Sequence, residues 1–203
     1  MTTPLSATLF DDVHDFVTAE VTAGYLPTDA IVDEVLARFG QHAPDHDRLR
    51  RAARTVAEQA LATHREAQQA WPTPTDCERL DAAFAALDDV GVVARQHYSC
   101  CGTCGADEIR AELQQAHKAG RPARGYTFFH VQDTAHAVSG EGLYLSYGAH
   151  EPGSDAAVAI GHEVVAALRD HGLSPAWNGK VAHRILLPLE WRRRRDDSRS
   201  YQE

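Results

Sequence analysis

Residues 91–131, GVVARQHYSCCGTCGADEIRAELQQAHKAGRPARGYTFFHV, decide the fold class. GVVARQHY is short, β-branched and aromatic, which predicts a strand ending near Tyr98. GADEIRAELQQAHKAG carries apolar residues at helical spacing and closes on Gly120, so a helix follows. GYTFFHV then predicts a second strand. Beyond it, GLYLSYG reads as a third strand, with QDTAHAVSGE as a short connecting segment. A helix from Asp155 to His171 presents Val158, Ile160, Val164, Val165 and Leu168 and stops at Gly172. NGKV is a turn and AHRILLPLEW a last strand. The order β-α-β-β-α-β predicts an α+β protein with a ferredoxin-like or related α+β sandwich.

Upstream of Val90 the composition changes. Leu9, Val13, Phe16, Val17 and Val21 form an amphipathic stripe. Pro27-Thr28-Asp29 opens a second helix, whose Ile31, Val32, Val35, Leu36 and Phe39 run until Gly40. Asp45 caps a third, to about Ala70, with Leu49, Ala53, Val56, Ala60 and Leu61 on one face. WPTPT at 71–75 breaks it. Thr75 or Asp76 starts a fourth, with Leu80, Phe84 and Leu87 inward. The expected organisation is an acidic helical region at 1–74, an α+β domain with a Cys-rich turn at 75–195, and a flexible tail at 196–203.

The chain has 203 residues and a net charge of −9. Residues 1–89 hold 7 basic against 16 acidic residues, and the remainder balances at 13 each. The excess acid repels nucleic acid and anionic membranes, so neither is expected as a partner. No apolar run approaches the ~18 residues a membrane span needs, and the start lacks a basic, then apolar, secretory leader. A cytoplasmic location is the expectation. Four cysteines there point to metal or redox chemistry before structural disulfides.

The chemistry centres on His97-Tyr98-Ser99-Cys100-Cys101-Gly102-Thr103-Cys104-Gly105, between a strand and a helix. Cys101 and Cys104 have the C-x-x-C spacing at which two thiolates grip one ion, and Cys100 adds a third sulfur. The following helix N-terminus favours thiolate charge. A zinc site needs four ligands and a soft-metal site can use three. The fourth candidate is His97 or His130, which neighbouring parallel strands would bring to one carboxyl edge. Asp133 could orient a histidine there. The rival readings are a thioredoxin-like thiol pair at Cys101 and Cys104, and plain reduced thiols in a turn. An adjacent third cysteine and the order of elements downstream both count against the redox fold.

Other patterns fail. His162-Glu163 lacks the second zincin histidine, since Ala166 stands in its place, and no nucleotide or serine-hydrolase motif occurs. Arg192–Arg195 reads as a solvated strand end. His14, His42, His46, His64 and His117 read as surface residues. Cys77 reads as a small apolar core residue.

SCCGTCGADEI, GYTFFHVQDT, GEGLYLSYG and ILLPLEWRRRR together resemble a family of uncharacterised actinobacterial proteins, over roughly residues 75–195. The resemblance implies a cytosolic bacterial protein and supplies no catalytic residue. The leading expectation is a metal-binding protein holding zinc or another thiophilic metal through Cys100, Cys101 and Cys104 with His130 or His97. The alternatives are a thiol–disulfide oxidoreductase using Cys101 and Cys104, and a non-enzymatic interaction or immunity-type module with acidic helices. The partner, protein or small molecule, is not specified by the sequence.

Overall fold

The first turn of α1 (Ala7–Ala23) is capped by the Ser6 hydroxyl, which accepts the Leu9 amide at 3.2 Å. The computed structural model describes residues 6–43 and 45–195. They form two units, residues 6–73 with 192–195, and Pro74–Trp191.

In the first unit α1, α2 (Thr28–Phe39) and α3 (His46–Gln68) pack pairwise. Asp45 accepts the Arg48 amide at 3.0 Å and starts α3. The stripes read from the sequence meet in one core: Val13, Val17, Val21, Ile31, Val32, Val35, Leu49 and Ala53 are all buried.

The arginine run packs onto this unit, which corrects the solvated reading. Arg194 donates to the carbonyls of Gln68, Trp71 and Pro72 at 2.8, 3.2 and 2.9 Å, and its guanidinium lies over the Trp71 ring. Arg195 donates to Val21 O and Leu26 O at 3.0 and 2.6 Å. These carbonyls lie at or just beyond the C-terminal ends of α1 and α3, where helical partners run out and the helix dipole favours a cation. His64 is also buried, not on the surface, and its Nε2 donates to Arg193 O at 3.0 Å. The tail expected at 196–203 lies outside the described residues.

The second unit runs α4 (Asp76–Asp89), β1 (Val92–Arg95), α5 (Gly102–Lys118), β2 (Gly125–Phe128), α6 (Val131–Val138), β3 (Leu143–Ala149), α7 (Ser154–Asp170) and β4 (Ile185–Leu187). A Thr75–Glu78 capping box fixes the start of α4. The architecture is mixed α+β. The strand order is β1-β2-β3-β4, with β1 and β2 parallel and the remaining pairs antiparallel.

That order differs from a ferredoxin-like sheet, which interleaves its two βαβ halves. Here the 17 residues of α5 return the chain beside β1 in the same direction. The connector read only as a short segment carries the helix α6, after which β3 returns antiparallel to β2. α5 covers one face, burying Ile109, Leu113 and Ala116 against Val93 and Phe128. α7 covers the other, where Ile160 lies against Gly125, and α4 packs on β1 and α7. The closing strand spans three residues, shorter than AHRILLPLEW suggested. No helix among the described residues is long and apolar enough to cross a membrane.

Candidate metal centre

The parallel pairing of β1 and β2 continues past both strands. The Phe129 amide donates to Arg95 O at 3.3 Å, the Tyr98 amide to Phe129 O at 2.9 Å, and the Val131 amide to Ser99 O at 3.2 Å. These bonds tether the segment before the cysteines to the segment before α6. Both helices therefore begin at the carboxyl edge of the parallel pair, where open α/β sheets bind their ligands.

The tether bends the backbone sharply. His97 and Ser99 adopt φ of 50° and 62°, in the left-handed region that non-glycine residues rarely occupy. Strain of this kind persists only when the surroundings hold it, and it concentrates at functional sites. The Ser99 hydroxyl donates to Glu108 Oε1 at 3.0 Å, and His97 Nδ1 meets Thr134 Oγ1 at 2.9 Å.

The chain then places Cys100 on the surface, Cys101 at the N-cap of α5 and Cys104 in its first turn. Their three Sγ atoms all lie within 4.8 Å of one another. Gly105 lets this turn seat closely, because a Cβ there would stand 2.6 Å from Phe128 Cε2. The amide of Cys104 first, then its side chain and the Thr103 amide, lower the Cys101 pKa below the ordinary thiol value. Cys104 is pushed up to about 11 by hydrogen bonds with Cys100 and Cys101 and by their charge. Cys101 is thus the more readily ionised thiol and Cys104 the one that holds its proton more firmly, until a bound soft cation displaces it.

Neither predicted histidine joins this group among the described residues. His130 is the N-cap of α6 and is engaged by Asp133. The Asp133 amide donates to His130 Nδ1 at 3.3 Å, and His130 Nε2 lies 3.1 Å from Asp133 Oδ2. That pattern requires the Nε2–H tautomer. Burial lowers the His130 pKa against the pull of Asp133. Arg184 grips the Asp133 carboxylate with two bonds at 2.9 and 2.5 Å and donates to Tyr144 O at 2.6 Å. His130 does approach the turn, its Nε2 lying 3.5 Å from where a Cβ on Gly102 would sit. Cys77 is buried in α4, away from the cluster.

Sequence reasoning missed Thr134 and Arg184. The signal for Thr134 was its place one helical turn after His130; Arg184, 51 positions from Asp133, left none.

The model of a family described as Domain of unknown function (DUF6891) matches residues 6–195. The chain belongs to that family. No curated protein and no solved structure is significantly similar to it. The match takes in both units, so the helical region is as much a part of the DUF6891 domain as the cysteine turn.

Proposed function

We propose that this DUF6891 protein binds one thiophilic metal ion through Cys100, Cys101 and Cys104. The observation that carries the reading is the convergence of three Sγ atoms within 4.8 Å on a helix N-terminus. Soft thiolates suit copper(I), zinc and related ions, and the helix dipole offsets their negative charge. Zinc would take a fourth ligand, for which His130 or His97 is the nearest imidazole offered by the sequence. The reading supposes reduced thiols, as in a cytoplasm.

The test is metal content per chain, with a free-thiol count, on protein purified without a histidine tag. About one equivalent of metal with protected thiols supports the reading. No metal with freely reacting thiols rejects it. Cys101→Ser should lose the metal while keeping its helical circular dichroism.

A second reading is favoured by the unequal thiols. Cys101, at the N-cap, would attack a substrate disulfide, forming a mixed disulfide and releasing one thiol. Cys104 would then attack the Cys101 sulfur, closing the Cys101–Cys104 disulfide and releasing the second thiol, so the substrate is reduced as the pair is oxidised. Metal-free protein reducing a small aromatic disulfide, with activity lost in Cys101→Ser, would support it over metal binding.

A further inference from the structure

We infer that the resident ion is monovalent copper in an all-sulfur, three-coordinate site; this deepens the metal-binding reading and rests on it. The fourth ligand separates the candidate ions. Structural zinc sites close with four protein ligands, and three-ligand zinc sites that keep an exchangeable water include at least one imidazole. Among the described residues, the cluster around these sulfurs contains three donors and no imidazole or carboxylate.

His130 has no lone pair to offer. Its Nδ1 accepts the Asp133 amide and its Nε2 carries the proton facing Asp133 Oδ2. Recruiting it would orphan the Asp133 amide inside a cap where His130 is 7% exposed and Asp133 1%. It would also unbalance a carboxylate held from the other side by Arg184. Unmaking buried, charge-linked hydrogen bonds is costly. His97 is turned to Thr134 by a 2.9 Å contact between its Nδ1 and Thr134 Oγ1.

Three soft donors on one turn, partly exposed and with no hard or borderline partner, match the two- and three-coordinate preference of copper(I). All three come from Cys100–Cys104, so binding requires no closure of distant segments.

The test uses the whole chain, reduced and anaerobic. Copper(I) is titrated against a chromogenic copper(I) chelator, with and without equimolar zinc, and the ligand shell is read by X-ray absorption. One copper per chain, three sulfur neighbours, no imidazole scattering and displacement of zinc are expected. His130→Ala and His97→Ala should keep stoichiometric copper, whereas Cys100→Ser, on the exposed position least able to disturb folding, should lose it. Zinc resisting displacement, or an imidazole in the shell of the bound ion, overturns the copper inference and leaves the metal reading standing. Binding of neither ion, with the thiols freely reactive, overturns both.

Discussion

His130 and Asp133 cap one another. The His130 amide donates to Asp133 Oδ2 at 3.0 Å, while the Asp133 amide donates to His130 Nδ1 at 3.3 Å. This reciprocal pair starts α6 and joins it to Arg184 just before β4. This linkage makes the His130–Asp133 pair a structural hub beside the thiol turn.

Asp133→Asn keeps the cap geometry and removes the charge facing Arg184. Breaking a buried ion pair costs about 3–5 kcal/mol, and the half-open Arg184 side brings the expectation to roughly 2 kcal/mol. Urea unfolding followed by tryptophan fluorescence checks it. An unchanged midpoint would show that the Arg184 contact contributes nothing to stability.

Acid should weaken both units. Burial lowers the pKa of His130 and of His64 from their common starting value of 6.5. The unfolded chain therefore takes up protons that the folded chain refuses. Stability is fully present above about pH 6.5 and falls as pH drops below it, until the folded residues themselves protonate. His64→Gln should flatten this dependence in the helical unit, and unfolding midpoints from pH 7.5 to 5 measure the difference. Equal slopes in the variant and the parent would contradict the account.

Arg194→Ala leaves the carbonyls of Gln68, Trp71 and Pro72 without their guanidinium donor. A loss of about 2 kcal/mol is expected from hydrogen bonds to a charged group and the ring contact. Arg194→Lys should recover little of it, since one ammonium cannot reproduce the planar fork. Hydrogen exchange at the end of α3 would localise the effect.

Gly105→Ala would push a methyl group against Phe128, at an overpacking cost of about 1–3 kcal/mol. Because Gly105 directly follows Cys104 in the turn that carries the cysteines, metal affinity should fall along with stability. A variant that unfolds earlier yet binds metal as before would separate the turn from its packing.

In metal-free protein, iodoacetamide near neutral pH should alkylate Cys101 well before Cys104, whose thiol is held up to about 11. Peptide mapping of the first modified residue decides it. Modification of Cys104 first would reverse the assignment of which thiol the helix activates.

The amphipathic stripes of α1 to α3 were legible because each apolar face repeats at helical spacing, and all three converge on one core. The thiol cluster was legible for the same local reason: C-C-x-x-C places three sulfurs on one turn whatever surrounds it. The helix α6 was not legible, since its eight residues are too few for a clear period and its cap uses a histidine. The sheet order escaped as well, because strand periodicity says which face is buried and not which strand is the neighbour.

Local spacing alone thus determined the mixed α+β class, the helical first region and the three-cysteine turn, each of them a property of residues within a few positions of one another. Only the tertiary structure decided that Arg192–Arg195 return to the helical unit and that His130 is occupied by Asp133. It likewise brought Arg184, 51 positions downstream, to hold that carboxylate. Those contacts depend on which carbonyls and charges lack partners once the helices have formed, and no sequence window contains both members of such a pair.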